Sequence, residues 1–313
     1  MIFVMGATGH IGSKIVNHLL ENGQQVRCLA RHFPDKDAFE GAELIEGDAN
    51  DVATVTDSMR HCTAAFTLIP PNLTTEELRF TQNKIGEVIA EGIEESGIKK
   101  VVNLSSIGAD LNKGTGPVLG LHDQEERLNE ITHADIIHLR PAFFMENLMS
   151  GIPSIISMNR YFGTVPGEAP IDMVATADIA ARAAFLLMNP TFTGRNVEYV
   201  LGQRTLTFNE AIRALGMAVE KPDIEYIEVP DKEMLNYMIG AGLSRNVAEA
   251  MNELSRATSN GTLNATTTRD KINTTKTSIE EFARTTFKEA YLAAMESEKS
   301  KRSRPSPGTE ARM

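Results

Sequence analysis

The sequence predicts an α/β fold, in which a parallel sheet is wrapped on both faces by helices and followed by a smaller α/β lobe. Three observations carry this. Short apolar runs alternate with stretches of helical periodicity through about residue 150, the signature of strand–helix repeats. The chain opens on a strand, a glycine-spaced turn and a helix. Its 313 residues are 42% hydrophobic, enough for a large core, yet no apolar run nears the roughly 18 residues of a membrane span.

The opening M-I-F-V-M-G-A-T-G-H-I-G sets the frame. Residues 2–5 read as a buried strand, and residues 13–20 carry helical periodicity, with Ile11, Ile15, Val16, Leu19 and Leu20 able to share a face. Between them stand Gly6, Gly9 and Gly12. Such glycines turn the chain sharply, leave room for a pyrophosphate and let the helix sit close to the strand, so that free N–H groups meet the anion. The context of strand, turn and helix predicts a dinucleotide site and a doubly wound sheet of the Rossmann kind. Gly6, Thr8, Gly9, His10, Ile11 and Gly12 are its expected lining.

The following elements read in order. Residues 25–30 form a second strand ending at Arg31, about twenty residues past the last glycine, where an acid would select NAD. Arg31 and His32 instead suit a 2′-phosphate, so NADP is the expected cofactor. Residues 43–47 make a third strand; Asp48, next to Ala49, meets the adenine edge or caps the helix that begins near Asp51. Residues 63–69 make a fourth strand stopped by Pro70 and Pro71, whose end belongs beside the nicotinamide, and a helix spans 75–96 up to Gly97. Residues 100–104 make the fifth strand, ending in Ser105 and Ser106, which either bond the cofactor ribose or a substrate carbonyl or simply end the strand. The glycine-rich stretch 108–120 reads as a mobile loop near the site, and 122–131 as a helix opening on His122. Residues 135–139 are a sixth strand.

Beyond residue 151 the pattern loosens. Residues 161–167 read as a strand and turn, 196–201 as a strand returning to the large sheet, and 224–229 as another strand. Helices fit 175–188, 208–219, 231–240, 244–257 and 278–295, with loop over 258–277. The division is a nucleotide-binding domain over 1–150, a substrate lobe over 151–295 and a polar, disordered tail over 296–313.

Composition narrows the function. The net charge is −11 and basic residues cluster only near the C-terminus, which argues against a nucleic-acid surface on the body. Cys28 and Cys62, the only cysteines, make no disulfide framework, and no zinc-site spacing occurs. An opening core strand predicts no leader segment, and a cytoplasmic protein without membrane partners is expected. The common reductases of this fold use Tyr-x-x-x-Lys. Here Tyr161, Tyr199, Tyr226, Tyr237 and Tyr291 are followed four residues on by Val165, Gln203, Pro230, Ala241 and Met295, so that pair is absent. His122, with Glu126 one turn on, is the candidate proton donor, or else a surface histidine. Phe144, Met145 and Asn147 are read as a wall for a flat apolar substrate, with Phe143 in the core and Met238 facing the pocket from the lobe.

Taken together, Gly6-x-x-Gly9-x-x-Gly12, Arg31, Pro70-Pro71, Ser105-Ser106, His122-x-x-x-Glu126 and Arg140-Pro-x-Phe-Phe-Met-Glu-Asn147 resemble the NmrA-like family, atypical members of the short-chain dehydrogenase/reductase superfamily. Asp172, Ala177-Asp178-Ile179-Ala180 and Thr207-x-Asn209-Glu210-Ala211 add to the likeness, which covers about residues 1–290. The resemblance implies a dinucleotide domain with a small lobe over the cleft. It also implies one of two roles: reduction of quinone-, azo- or triphenylmethane-type acceptors by NADPH, or redox sensing through a protein partner. Isoflavone-type relatives carry a catalytic lysine where His122 stands, whereas the dye and quinone reductases carry His-x-x-x-Glu. The expectation is therefore an NADPH-dependent reductase of a small conjugated or aromatic acceptor, with monomer and homodimer both open.

Overall fold

The structure, a computed structural model, describes residues 1–303, with side chains through residue 300. The first half runs β1 (Ile2–Met5), α1 (Gly12–Glu21), β2 (Val26–Ala30), β3 (Glu43–Glu46), α2 (Val52–Met59), β4 (Ala64–Thr67), α3 (Leu78–Ser96), β5 (Lys100–Leu104), α4 (Leu119–Asn129) and β6 (Asp135–Pro141). It continues with β7 (Phe143–Phe144), α5 (Ile152–Met158), β8 (Arg160–Gly163), β9 (Ile171–Val174), α6 (Thr176–Met188), β10 (Arg195–Val200), β11 (Thr205–Leu206) and α7 (Phe208–Ala218). Last come β12 (Glu225–Glu228), α8 (Asp231–Gly240), α9 (Arg245–Ser259), α10 (Ile279–Phe282) and α11 (Lys288–Ser303), the final two joined by a π-turn.

Seven strands form one sheet in the order β10-β6-β5-β4-β1-β2-β3, and every pairing is parallel. A parallel sheet needs cover on both faces, which is why β1 is buried at all four residues. On one face Val4 and Phe66 pack with Ile15 and Leu19 of α1 and Ile179 and Ala183 of α6. On the other, Phe3 and Met5 pack with Val55 of α2 and Ile85, Ile89 and Ile93 of α3. The winding reverses between β1 and β4, which opens a crevice at the carboxyl ends of the strands. Both β10 and α6 belong to this large layer although they follow residue 151.

The lobe holds a three-stranded sheet, β11-β9-β7, and a parallel pair, β12-β8. Its own core gathers Met145, Leu148, Phe208, Leu215, Phe282 and Phe287. A capping box starts α7, where the Thr207 side chain and Glu210 satisfy each other's backbone N–H groups. The α8–α9 hairpin reaches back over the crevice. Ser244 donates from its Oγ to the Thr75 carbonyl (2.5 Å) and from its backbone N–H to Leu73, while Asn246 Oδ1 accepts the Leu78 N–H at the start of α3 (2.8 Å).

Several expectations are corrected. β4 stops at Thr67, three residues before Pro70. A 3-10 turn over Gly116–Val118, with Pro117 pre-set for a helical start, lets α4 begin at Leu119, so His122 lies one turn inside the helix. The 108–120 stretch is packed: Thr115 and Gly116 are buried, the latter beneath α9, and only Asp110 and residues 112–114 are exposed. Asp51, not Asp48, caps α2, accepting from the Ala53 N–H (3.1 Å) and Thr54 Oγ1 (2.6 Å). Helix α11 runs to Ser303, past Glu296 where composition predicted disorder; residues 304–313 lie outside the described ones.

Beside the crevice, His138 of β6 is buried between Asn103 and Asn129. Its Nδ1 accepts from the Asn103 amide and its Nε2–H donates to Asn129 Oδ1, so the ring is held neutral. Burial pulls its pKa down to about 4. The unfolded chain then takes up a proton near pH 6.5 that the folded chain refuses until about pH 4. Stability from this group is thus present at neutral pH and lost as pH falls through that window. Urea unfolding should show about 2 kcal/mol less stability at pH 5 than at pH 7 from this residue. His138→Gln should remove that part of the slope; an unchanged slope would refute the assignment.

Candidate functional site

The site is laid out along the carboxyl edge of the large sheet, with the lobe and α9 closing one end. At β1 the chain turns through Gly6, whose φ of +68° an ordinary residue resists. A Cβ on Gly12 would lie 2.2 Å from the Gly6 carbonyl oxygen, so α1 can start only with glycine this close to the strand. Thr8, Gly9 and His10 are exposed at the tip, while Ile11 is buried with its side chain in the core. No side chain caps α1. The Ser13 N–H donates to the Gly9 carbonyl (3.0 Å), while those of Ile11 and Gly12 are left open at the helix start, the arrangement an anion needs.

A cationic group stands at the ends of β2 and β3. Arg31 is exposed there, and His32 and Lys36 pair with Glu46 at 3.5 and 3.3 Å. The Lys36 hydrogen bond, aided by the Phe33 N–H and by His32, holds the Glu46 carboxyl below its ordinary range. Asp48 is exposed and accepts from the Asn50 N–H (3.0 Å) and side-chain amide (2.8 Å), which fixes the turn beside half-buried Ala49. Pro70 is half-buried in the loop beyond β4.

Adjacent serines part company after β5. Ser105 is buried and its hydroxyl donates to Glu125 of α4, so it is turned away from the cleft, against expectation. Ser106 is the one that opens on it. Glu125 is itself held by Arg140 through Nε (3.0 Å) and Nη2 (2.5 Å). Arg140 Nη1 reaches Asp110 and Tyr199, and Tyr199 shares a 2.7 Å hydrogen bond with Thr266. The carboxylate raises the Arg140 pKa above that of a free guanidinium despite burial.

An apolar cavity of about 200 Å³ lies beside this network. Phe143 and Phe144, Ile107, Ile171 and Leu263 wall it, with Ser106, Asn147 and Thr258 among the polar groups. Asp172 also lines it, but its charge is met by Arg269 (2.6 Å). Phe144 and Asn147 thus reach the cavity. Met145 does not: it is 1% exposed in the lobe core, because the chain leaves β7 into a 3-10 turn that points it inward. Phe143 both lines the cavity and packs edge-on against Phe208. Met238 is absent from the lining; α9 supplies Leu254 and Thr258 instead. His122 also lies off the lining. Its Nδ1–H donates to the Ala109 carbonyl (2.8 Å) in the loop that follows Ser106, while Glu126 is exposed.

Lys36, Glu46, Glu125 and the α9 contacts were missed by sequence reasoning. Leu254 and Thr258, one helical turn apart, were a readable signal; the others depend on strand register and on packing across the chain. Among the described residues no group of three or more His, Cys, Asp or Glu is placed to hold a metal, and no helix is long and apolar enough to cross a membrane.

The profile of the NmrA-like family matches residues 1–289. The chain belongs to the NmrA-like family. Among its relatives, the NAD(P)H azoreductase of Xenophilus azovorans is 27% identical over 259 residues, spanning 81% of this chain and 86% of that protein. Among the solved structures with a similar fold, two illustrate the likeness. One is the NADPH-dependent quinone oxidoreductase of Escherichia coli in complex with NADPH (TM-score 0.76, 19% identity, 92% of this chain and 100% of that one). The other is the triphenylmethane reductase of Citrobacter sp. with NADP(H) (TM-score 0.74, 20% identity, 91% and 99%).

The buried ion pair of this NmrA-like chain gives a direct test. Glu125→Leu leaves the buried Arg140 guanidinium with only Asp110 and Tyr199 on Nη1 and its Nε and Nη2 unpaired, and should cost about 3–5 kcal/mol in chemical denaturation. Glu125→Leu with Arg140→Met should regain most of it, since both charges then go together. A loss below 1 kcal/mol in the single variant would mean that the pair does not hold the strand ends.

Proposed function

We propose that this chain is an NADPH-dependent reductase of flat, conjugated acceptors such as quinones or dyes. The observation that carries the reading is the placement of a bare phosphate cradle and an apolar, phenylalanine-walled cavity on one sheet edge. They sit at β1 and at β5–β6, with β4 between β1 and β5. Two strand spacings, roughly 10 Å, is a distance a dinucleotide bridges. The uncapped start of α1 and the missing Cβ at Gly12 fit the pyrophosphate.

In this reading the turn of Gly6, Thr8, Gly9, His10, Ile11 and Gly12 cradles the pyrophosphate: the Gly6 and Gly9 N–H groups hold the turn by donating to the Leu29 and Gly6 carbonyls, and those of Thr8, His10, Ile11 and Gly12 face the anion. Arg31 and His32, joined by Lys36, hold the 2′-phosphate, and Asp48 and Ala49 border the adenine. Pro70 and Ser106 flank the nicotinamide, because Ser105 is turned to Glu125. Bound NADPH supplies a hydride. Phe144 and Asn147, with Phe143, orient the acceptor, while Leu254 and Thr258 of α9 exclude water. An extended conjugated acceptor spreads the charge it gains, so no tyrosine–lysine acid is required. His122 is a positioning residue that tethers the Ser106–Asp110 loop through Ala109, and solvent returns the proton. The azo, quinone and triphenylmethane substrates in the names of the similar proteins are all acceptors of this type.

Titration with NADPH and NADH, followed by a panel of quinones and dyes and monitored at the reduced-nicotinamide absorbance, tests the proposal. Tight NADPH binding with acceptor-dependent oxidation is the expected outcome; binding without oxidation across the panel would favour a non-catalytic sensor. Arg31→Glu should weaken NADPH at least tenfold while changing NADH little. Equal loss for both would remove Arg31 from the 2′-phosphate site.

His122→Ala should raise the acceptor KM severalfold with a smaller change in kcat, and His122→Gln, which can still donate to Ala109, should restore most of it. A pH dependence of kcat near neutrality that vanishes with His122 would instead make it the proton donor.

A further inference from the structure

We propose that Glu46 sets the NADPH-to-NADH preference by competing with the cofactor's 2′-phosphate for Lys36 and His32. The inference rests on the dinucleotide reading above and extends it to a residue outside the glycine turn. The position after β2 carries Arg31, so the acid that would meet a ribose 2′-hydroxyl is missing from that strand. The neighbouring strand brings one. Parallel register pairs Ala30 with Glu46, and the Gly47 N–H donates to the Ala30 carbonyl at 3.0 Å, so the end of β3 is pinned beside the residue that precedes Arg31. A carboxylate thus reaches the cofactor-selecting corner through sheet topology rather than through the expected sequence position.

Its partners there are two basic side chains at the same corner as Arg31. Lys36 Nζ lies 3.3 Å and His32 Nδ1 3.5 Å from the same oxygen, Glu46 Oε1. All three side chains are open to solvent: 72% for His32, 64% for Lys36 and 42% for Glu46. Exposed pairs of this kind are weak and exchange readily. A phosphate monoester, carrying close to two negative charges, is a stronger partner for the Lys36 ammonium and for a donating imidazole N–H. Its arrival must displace Glu46 and then tolerate that carboxylate nearby. NADH, with a bare 2′-hydroxyl, meets neither cost, and the carboxylate is left to accept from the ribose. Glu46 therefore penalises NADPH relative to NADH and keeps selectivity below what Arg31, His32 and Lys36 would give alone.

Calorimetric titration with 2′,5′-ADP and 5′-AMP tests this without any turnover. Glu46→Gln keeps the shape and removes the charge at an exposed site. It should tighten 2′,5′-ADP by about three- to tenfold at low salt, with the gain shrinking as salt screens the charges, and leave 5′-AMP within about twofold. Lys36→Met should weaken 2′,5′-ADP while sparing 5′-AMP. If Glu46→Gln leaves 2′,5′-ADP unchanged or weakens it, Glu46 only organises the loop and the inference falls, while the dinucleotide reading stands. If the unmodified protein binds neither nucleotide, the dinucleotide reading falls and takes this inference with it.

Discussion

The architecture turns on the room denied to a single methyl group. At Gly12 a Cβ would meet the Gly6 carbonyl, so α1 can lie against the end of β1 only because Gly12 carries no side chain. That contact fixes where the helix starts and which way its free N–H groups aim. It also brings Ile15 and Leu19 down on Val4 and Phe66, sealing one face of the sheet. Since β2 and β4 flank β1, the crevice at the winding reversal is referenced to the same point.

A second constraint acts two strands away. Polar groups cannot be left alone at buried strand ends, and Glu125 and Arg140 solve this jointly. One carboxylate takes up the Ser105 hydroxyl and the guanidinium, and the guanidinium passes the connection on to Tyr199 of β10 and so to Thr266. The polar groups at these strand ends thereby serve architecture, which leaves the adjoining cavity largely apolar. Successive residues of an extended chain face opposite ways, so Ser105 goes to the network and Ser106 to the cleft.

The strands of the large sheet were legible because burial on both faces produces unbroken apolar runs such as I-F-V-M, and the nucleotide turn because its glycines sit between a strand and a helix. The lobe was less so. β7, β9 and β11 have two to four residues, too few for any period to register. Met145 read as part of a wall, since nothing in F-F-M-E-N marks the switch from strand to 3-10 turn. The last part of α11 has no apolar stripe for periodicity to find. The acids illustrate a deeper limit. Asp48 and Asp51 both suit a helix start, and only geometry chose between them, while the partnership of Glu46 with Lys36 exists only through the pairing of β3 with β2.

The hairpin of α8 and α9 sets an order of assembly. The phosphate cradle is built from neighbours in sequence and from β2, all within the first thirty residues. The roof over the cleft is different. Asn246 closes the start of α3 from 168 positions further along the chain, and Ser244 grips Thr75 from a similar distance. Contacts that close such long loops form late in folding. On a ribosome, the cradle emerges and can pair with β2 well before the roof has been synthesised. Sequence separation thus orders the site: the contacts of the anion turn are all local, whereas the cover of Phe143 and Phe144 waits on residues beyond 240.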